Sequence, residues 1–348
     1  MSNEKTKGQW LTAIKPDTFD IEDNDLVYTR QAANLPKEKT HIKNKCNMPL
    51  TTINIDYKGR IFICDCDGYL PFPVGNISSV TSYDQIINNE YATIVIKSVT
   101  ENKFTYCDTK NCGMEYTDKI NPTGNLNIYL GIDTGCNYAC PSCRERVVLD
   151  NSIEFIDARK TWVDNLCTII ESIPDRKVTV LIGSNGDPFV SKLYLYAIKK
   201  LSKLPQVRFS FRTNGSRLIN NRDLIISMKD RIDELYISID AATKGTYENL
   251  RRPGKWENLL NNLNFVKEQG IRTHAALVVQ VDNFREMPAF VDFCHSYNMK
   301  PQFAILIDWG TWGNFKEHIV HMPESPYYNE FQKIISTMQY DLVKKFLK

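Results

Sequence analysis

Short apolar runs alternate with amphipathic stretches through residues 127–307 of this 348-residue chain. The runs predict strands at 127–133, 177–183, 207–213, 234–239, 272–281 and 302–307. Between them, apolar positions recur every three to four residues, which predicts helices at 152–172, 193–204, 218–228, 256–269 and 287–297. Such alternation favours a parallel sheet with right-handed crossovers. We therefore expect an α/β fold, a partial (β/α)6 barrel at 121–310, with its site at the carboxyl ends of the strands.

The residues before 121 and after 310 follow different patterns. Apolar runs at 50–57 and 60–63 flank Lys58-Gly59, which predicts a β-hairpin, and a helical stretch follows at 83–96. We expect a small cysteine-rich hairpin and helix domain at 41–120, preceded by a polar arm at 1–40. At 311–348 we expect a loop and an amphipathic helix, from residue 326 on, that covers the open edge of the barrel.

Composition narrows the classes of partner. The 43 basic and 41 acidic residues nearly cancel, so no net field favours nucleic acid or an anionic membrane surface. No apolar run is long enough to span a bilayer, and the first 45 residues are polar and charged. We therefore expect a cytoplasmic enzyme whose ten cysteines are reduced, with no membrane partner and no nucleic acid partner.

Three cysteines follow the first predicted strand of the barrel. Cys136, Cys140 and Cys143 are spaced C-x3-C-x2-C, which suits three corners of an iron-sulfur cube and leaves the fourth iron open to a small molecule. A structural zinc site usually takes four ligands, and none of the five histidines lies within 100 residues of Cys143. Zinc and plain buried thiols nevertheless stay open as alternatives.

Further cysteines lie upstream in the predicted hairpin domain. Two pairs can fill the four corners of a second cube, with Cys66 as a spare or alternative ligand. A zinc ribbon would accept the same four thiolates and is the alternative. The expected ligands are Cys46, Cys64, Cys107 and Cys112.

The C-x3-C-x2-C segment resembles the signature of the radical S-adenosylmethionine (SAM) enzymes. The resemblance implies that SAM binds the open iron of a [4Fe-4S] cluster through its methionine amino and carboxylate groups and is cleaved to a 5′-deoxyadenosyl radical. Residues 183–187 resemble the glycine-rich acidic motif of the family, with Gly183, Gly186 and Asp187 in the motif positions. Asp187 stands where Glu is more usual.

The resemblance also implies cosubstrate contacts on later strands. Ser238 and Asp240 close the strand predicted at 234–239, and an arginine after that strand is expected to pair with the methionine carboxylate. Arg251 and Arg252 are both candidates, and Arg252 is preferred. Ser142 replaces the aromatic residue that commonly packs on adenine, which leaves the adenine contact open. Asn214 and Gln280 are further expected contacts.

The upstream pattern C-x12-G-x4-C, followed by Pro-Val-Gly-Asn-Ile, resembles the twitch domain, a shortened SPASM domain, placed here before the barrel. The resemblance implies a second, auxiliary [4Fe-4S] cluster in electron transfer. We expect an oxidative modification of a peptide or protein side chain, with flavodoxin or ferredoxin as reductant. A small-molecule dehydrogenase is the alternative within the class. A non-catalytic, zinc-stabilised binding scaffold, presenting Trp309 and Trp312 to a partner, is the alternative outside it.

Overall fold

The computed structural model describes residues 45–64, 73–107 and 119–347. The predicted arm at 1–40 lies outside the described residues, as do Cys66 and Cys112. Among the described helices, none combines the length and the apolar character that crossing a membrane requires.

The strands form a mostly parallel sheet. In chain order they are β1 (Thr52–Ile55), β2 (Arg60–Ile63), β3 (Gly75–Asn76), β4 (Leu126–Leu130), β5 (Val178–Ile182), β6 (Val207–Thr213), β7 (Ile232–Ser238), β8 (Thr273–Val279) and β9 (Lys300–Ile305). They are hydrogen-bonded in the order β3-β2-β1-β4-β5-β6-β7-β8-β9. β1 pairs in parallel with β4, as do β4 with β5, β7 with β8 and β8 with β9, whereas β2 is antiparallel to β1 and β3.

Helices separate most of these strands, and short 3-10 turns flank several of them. In chain order the α-helices of the described residues are α1 (Met48–Thr51), α2 (Tyr83–Ile87), α3 (Glu90–Thr100), α4 (Ile153–Glu171), α5 (Lys192–Leu201), α6 (Arg222–Met228), α7 (Lys244–Leu250), α8 (Trp256–Gln269), α9 (Met287–Ser296), α10 (Tyr328–Ser336) and α11 (Tyr340–Val343).

The chain divides into two compact units. The first holds the described residues up to Thr134, with Asp150–Gly186 and Ser191–Phe209. The second holds Gly135–Leu149, Asp187–Val190 and the described residues from Ser210 onward.

The core of the first unit is built on the alternation of β4 and β5. Ile128 and Val180 have no exposed surface, because every second side chain of these strands points into the core. Arg176 fixes a neighbouring loop, since its guanidinium donates to the carbonyl oxygens of Gly124 at 2.6 Å and Leu50 at 2.7 Å. These contacts join residues far apart in the sequence within one unit.

In the second unit, the parallel register sets where the site residues lie. Ser238 at the end of β7 is paired in register with Ala276 of β8. Asp240 and Gln280 follow β7 and β8 and are almost fully buried, with 1% of each exposed. Carboxyl ends of parallel strands meet at one edge of a sheet, so both polar side chains lie at the edge where α/β proteins place their sites.

The predicted α/β fold with a mostly parallel sheet is confirmed. Strand 207–213 and helix 256–269 agree with β6 and α8 at both ends. The hairpin forms, but β1 also pairs with β4, which the sequence did not indicate. The single helix predicted at 83–96 is wrong: α2 ends at Ile87, and the Asn89 side chain caps a new helix by accepting from the Tyr91 backbone N–H.

Two other helix predictions also need correction. The tail helix breaks between α10 and α11, because residues 337–339 do not continue the helical turn. Residues 244–250, for which no element was predicted, form α7. Thr243 precedes α7 in an extended conformation, as the residue before a helix usually is.

Candidate functional site

The three cysteines of the predicted cluster lie on one loop of the second unit. Their thiols form no disulfide with any cysteine that the structure describes, and they range from buried Cys140 to exposed Cys143. The Cys140 carbonyl oxygen accepts from the backbone N–H groups of Cys143 at 2.8 Å and Arg144 at 3.0 Å. The Cys136 N–H donates to the Val148 carbonyl at 2.6 Å, which closes the loop. Backbone hydrogen bonds thus fix the loop without using the thiols.

Burial makes two of these thiols, those of Cys136 and Cys140, poor acids on their own. Burial raises the pKa of Cys140 to about 12, against the opposing charge of Arg251. Burial also raises the pKa of Cys136; the Asp187 carboxylate adds to the increase and Arg144 opposes it. A coordinating metal deprotonates a thiol outright, so free thiols beside buried guanidinium groups fit a metal-bound, anionic set of sulfurs.

The Arg251 side chain lies largely buried beside this loop. The Arg251 Nη1 donates to the Asp240 Oδ2 at 3.1 Å, and the two side chains are 11% and 1% exposed. Asp240 has a left-handed backbone with φ of 62°, and its other carboxylate oxygen accepts from the Val278 N–H at 2.8 Å. The Asn283 amide donates to the Asp240 carbonyl at 3.0 Å. Asp240 is therefore held in an uncommon conformation that orients Arg251.

Arg252 occupies a different environment. Its guanidinium donates to the carbonyl oxygen and to the side-chain Oδ1 of Asn249, at 2.7 and 2.6 Å, on the exposed side of the turn. Its carbonyl oxygen accepts from the Ala139 N–H at 2.7 Å. The structure thus brings the backbone of Arg252, and the side chain of Arg251, to the cysteine loop.

Asp187 and Asn214 form a buried network against the same loop. The Asp187 N–H donates to the Gly135 carbonyl at 2.8 Å. The Asp187 carboxylate accepts from Thr213 Oγ1 and from the Asn214 N–H, each at 2.8 Å, and from the Phe189 N–H at 3.0 Å. The Asn214 side chain in turn reaches Cys136 Sγ at 3.7 Å.

The remaining predicted cosubstrate residues differ in their surroundings. Gln280 is buried, and neither polar atom of its carboxamide has a hydrogen-bond partner among the described residues. A buried amide without partners is costly, which points to a ligand at this position. Ser238 is half-buried at the end of β7. Gly183 and Gly186 lie in the turn after β5 in the first unit, and Gly183 has a positive φ of 108°.

Several residues that anchor the loop were not predicted. Tyr138 Oη lies 3.2 Å from Tyr247 Oη in a buried contact. A Cβ at Gly254 would lie 2.7 Å from Tyr138 Oη, so only glycine allows this approach. The Thr311 hydroxyl donates to the Pro141 carbonyl at 2.6 Å. Arg144, whose N–H donates to the Cys140 carbonyl, directly follows the third cysteine, so its part in the loop could have been predicted from the sequence. The other contacts join residues that are distant in sequence, and no local pattern indicates them.

Three of the upstream cysteines, Cys46, Cys64 and Cys107, are described, and they lie in the first unit. Cys46 and Cys107 belong to one apolar cluster with Val99 and Phe104. Cys64 directly follows β2 and has a left-handed backbone with φ of 85°, and its N–H donates to the Thr52 carbonyl at 3.0 Å. A positive φ is uncommon at a non-glycine residue.

In the described part of the chain, no three Cys, His, Asp or Glu side chains converge on a single metal ion. That finding does not cover Cys66 and Cys112. It also does not count against an iron-sulfur cube, because the cube places each cysteine on a separate iron.

An α/β domain with three free thiols on one loop, beside a buried guanidinium, is suited to holding an anionic metal cluster. Residues 132–294 match the sequence model of the Radical SAM superfamily. This part of the chain is similar to a radical SAM superfamily domain, and it contains all the loop cysteines with Asp187, Asn214, Asp240 and Gln280. Members of this superfamily are enzymes, and the family implies SAM and a [4Fe-4S] cluster as cofactors.

Several solved structures match the chain and share little sequence with it. The anSMEcpe structure with bound AdoMet is 14% identical over 52% of this chain and 50% of its own, with a TM-score of 0.38. Streptococcus suis SuiB bound to precursor peptide SuiA is 12% identical over 82% and 68%, with a TM-score of 0.41. Methylornithine synthase (PylB) is 12% identical over 54% and 55%, with a TM-score of 0.36. The matches span about half the length of anSMEcpe and PylB. No curated protein matches the chain.

Proposed function

We propose that this chain is a radical SAM enzyme whose cleaving [4Fe-4S] cluster is held by Cys136, Cys140 and Cys143. The observation that carries the proposal is the placement of three disulfide-free thiols on one hydrogen-bonded loop of the superfamily domain. Three thiolates fit three irons of a cube and leave one iron for the cosubstrate. When bound, the cluster supplies the electron that cleaves SAM to a 5′-deoxyadenosyl radical, which abstracts hydrogen from the substrate.

We assign Arg251 to the methionine carboxylate of SAM, whereas the sequence alone favoured Arg252. Its guanidinium is oriented by Asp240, and its Nε has no hydrogen-bond partner in the part of the chain that the structure describes. A guanidinium recognises a carboxylate through paired hydrogen bonds, and it remains charged when buried. The Arg252 guanidinium is already bonded twice to Asn249, which supports the same assignment.

Residues at the ends of the strands are proposed to make the other contacts to SAM. The unpartnered carboxamide of Gln280 offers a donor and an acceptor, which suits a nucleobase edge or a ribose hydroxyl. Ser238 offers a hydroxyl from the end of β7. Gly183 and Gly186 would expose backbone groups to the methionine ammonium in the manner of the family motif.

The domain at 41–120 is proposed to hold an auxiliary [4Fe-4S] cluster through Cys46, Cys64, Cys107 and Cys112. Support comes from the shared packing of Cys46 and Cys107 and from the left-handed backbone of Cys64. A cube with four protein ligands has no open iron, so its role is to accept or relay an electron. The resemblance to a twitch domain favours the same assignment.

The reaction proposed is an oxidative modification of a peptide or protein side chain, with flavodoxin or ferredoxin as reductant. Loss of a hydrogen atom to the radical, and of one further electron to the auxiliary cluster with release of a proton, leaves the substrate oxidised by two electrons. The twitch resemblance supports a peptide, and a small-molecule dehydrogenase is the alternative.

Anaerobic reconstitution tests the proposal. Wild-type protein should bind about eight irons in two cubes and release 5′-deoxyadenosine when reduced with dithionite in the presence of SAM. Cys143→Ala should release none, whereas Cys167→Ala, at a helical cysteine with no assigned role, should match wild type. Tight zinc binding without SAM cleavage would support the binding scaffold instead.

A further inference from the structure

Asn214, the residue after β6, contacts the sulfur of a proposed cluster ligand. Its side-chain amide donates to Cys136 Sγ at 3.7 Å and to Asn137 Oδ1 at 2.9 Å. An amide has two N–H donors, so both contacts can form at once. Asn214 is 4% exposed, so water does not compete strongly for these hydrogens.

The Asp187 carboxylate holds Asn214 in this position. One of its oxygens accepts from the Asn214 N–H and from Thr213 Oγ1, and the other accepts from the Phe189 N–H. Asp187 is 2% exposed. Three donors of this chain therefore occupy most of the accepting capacity of a buried carboxylate. That geometry leaves little of it for the methionine ammonium, the role that the sequence motif indicated.

We infer that Asn214 is a positioning residue that acts through Cys136: its amide raises the reduction potential of the cluster, and Asp187 supports Asn214 instead of binding SAM. The inference rests on the proposed function, since it requires Cys136 to be a cluster ligand. Hydrogen bonds to the cysteine sulfurs are among the factors that set cluster potentials. An N–H donor stabilises the more negative, reduced state, so the potential rises.

A purely structural role for Asn214 is the alternative. Asn214 Oδ1 accepts from the Ser216 N–H at 2.9 Å, which closes a local turn. Serine can form the same kind of turn through its hydroxyl. Asn214→Ser therefore keeps the turn while removing the donor to sulfur. Asn262→Ser is the matched control, because Asn262 is also buried and bonds backbone groups of Ile219 and Asn258 at 2.8 and 2.7 Å.

Potentiometric titration followed by EPR separates the two roles. The signal to follow is the one that changes when SAM is added to reconstituted protein. We expect a more negative midpoint potential in Asn214→Ser, an unchanged one in Asn262→Ser, and a return toward wild type in Asn214→His, which restores a side-chain N–H. Loss of iron from Asn214→Ser but not from Asn214→His also supports the inference. The same potential in wild type and Asn214→Ser overturns it.

The role of Asp187 is tested by SAM affinity. In Asp187→Asn the amide can no longer accept all three hydrogen bonds, so we expect a lower midpoint temperature of thermal unfolding. The SAM dissociation constant of the iron-loaded fraction should stay within about threefold of wild type. A direct ion pair with the ammonium would instead make the loss of affinity more than about tenfold, the usual effect of removing a hydrogen bond to a charged group. That result overturns the Asp187 part of the inference.

Failure of wild-type protein to form any SAM-responsive cluster would be a failure of the proposed function. It would be seen before any variant is compared.

Discussion

The two groups of cysteines in this chain are built in different ways. Cys136, Cys140 and Cys143 share one loop, whose turns are fixed by backbone hydrogen bonds. Charged side chains influence this loop directly, since Arg251 and Arg144 favour the ionised thiols. Cys46 and Cys107 come from separate parts of the first unit and share an apolar cluster with Val99 and Phe104.

This difference between the loop cysteines and the upstream cysteines indicates which role each group is suited for. A single hydrogen-bonded loop with cationic side chains beside it can hold three anionic sulfurs. These fit three irons of a cube and leave the fourth iron open. A site assembled from distant segments in apolar surroundings depends on the packing of its own unit. The comparison therefore predicts that the loop carries bond cleavage and that the upstream group carries only electrons.

The largest expected effect is the loss of cleavage on removal of a loop thiol. In Cys140→Ala the cleaving cluster should not form, so iron should fall by about four atoms per chain and 5′-deoxyadenosine should disappear. Iron analysis and mass spectrometry of the reduced reaction measure both. Continued SAM cleavage by this variant would show that the loop is not the cleaving site.

Removal of an upstream thiol should separate the two sites. Cys107→Ala should also lose about four irons, yet its reduced form should still release 5′-deoxyadenosine. Formation of the oxidised product should stop, because the electron from the substrate radical has no acceptor. An unchanged iron content would remove Cys107 from the ligand set, and unchanged turnover would remove its electron role.

Substitution of the two adjacent arginines, Arg251 and Arg252, tests whether a cationic side chain beside the cysteine loop is needed for SAM binding. Arg251→Met should lower SAM affinity more than about tenfold, and should cost about 3–5 kcal/mol of unfolding free energy because Asp240 is left buried without its partner. Arg252→Met, the matched control, should change the unfolding free energy by less than about 0.5 kcal/mol. Calorimetric titration and chemical denaturation measure the two effects. The reverse ranking of the two variants would restore the original preference for Arg252.

The smallest expected effect concerns the anchoring of the loop. Tyr138→Phe and Tyr247→Phe each remove one hydroxyl of the 3.2 Å contact, so each should cost about 0.5–1.5 kcal/mol. The double variant should be less destabilised than the sum of the single variants, because the two hydroxyls are partners. Iron content should not change. Additive effects would mean that the contact does not stabilise the loop.

Sequence patterns predicted the elements better than the contacts between them. The βα rhythm gave β6 and α8 to the residue, since hydrophobic periodicity is a local signal. The parallel pairing of β1 with β4 joins segments more than 70 positions apart, and no local pattern encodes it. The cysteine spacing likewise identified the loop as a candidate site.

The choice between Arg251 and Arg252 shows why the rest could not be predicted. The two residues are adjacent in sequence and carry the same guanidinium group. They differ in burial, which the left-handed Asp240 and its bonds to Val278 and Asn283 decide. Asp187 is the converse case: its motif position suggested a ligand contact, and only its three hydrogen bonds point to a supporting role.

The open iron of the loop cluster is the central claim, and ENDOR spectroscopy tests it most directly. Reduced, reconstituted protein should be mixed with SAM that carries ¹⁵N in the amino group and ¹⁷O in the carboxylate. We predict hyperfine coupling from both labels to the loop cluster, and its loss in Cys140→Ala. A wild-type cluster that forms fully but shows no coupling to either label would contradict the account.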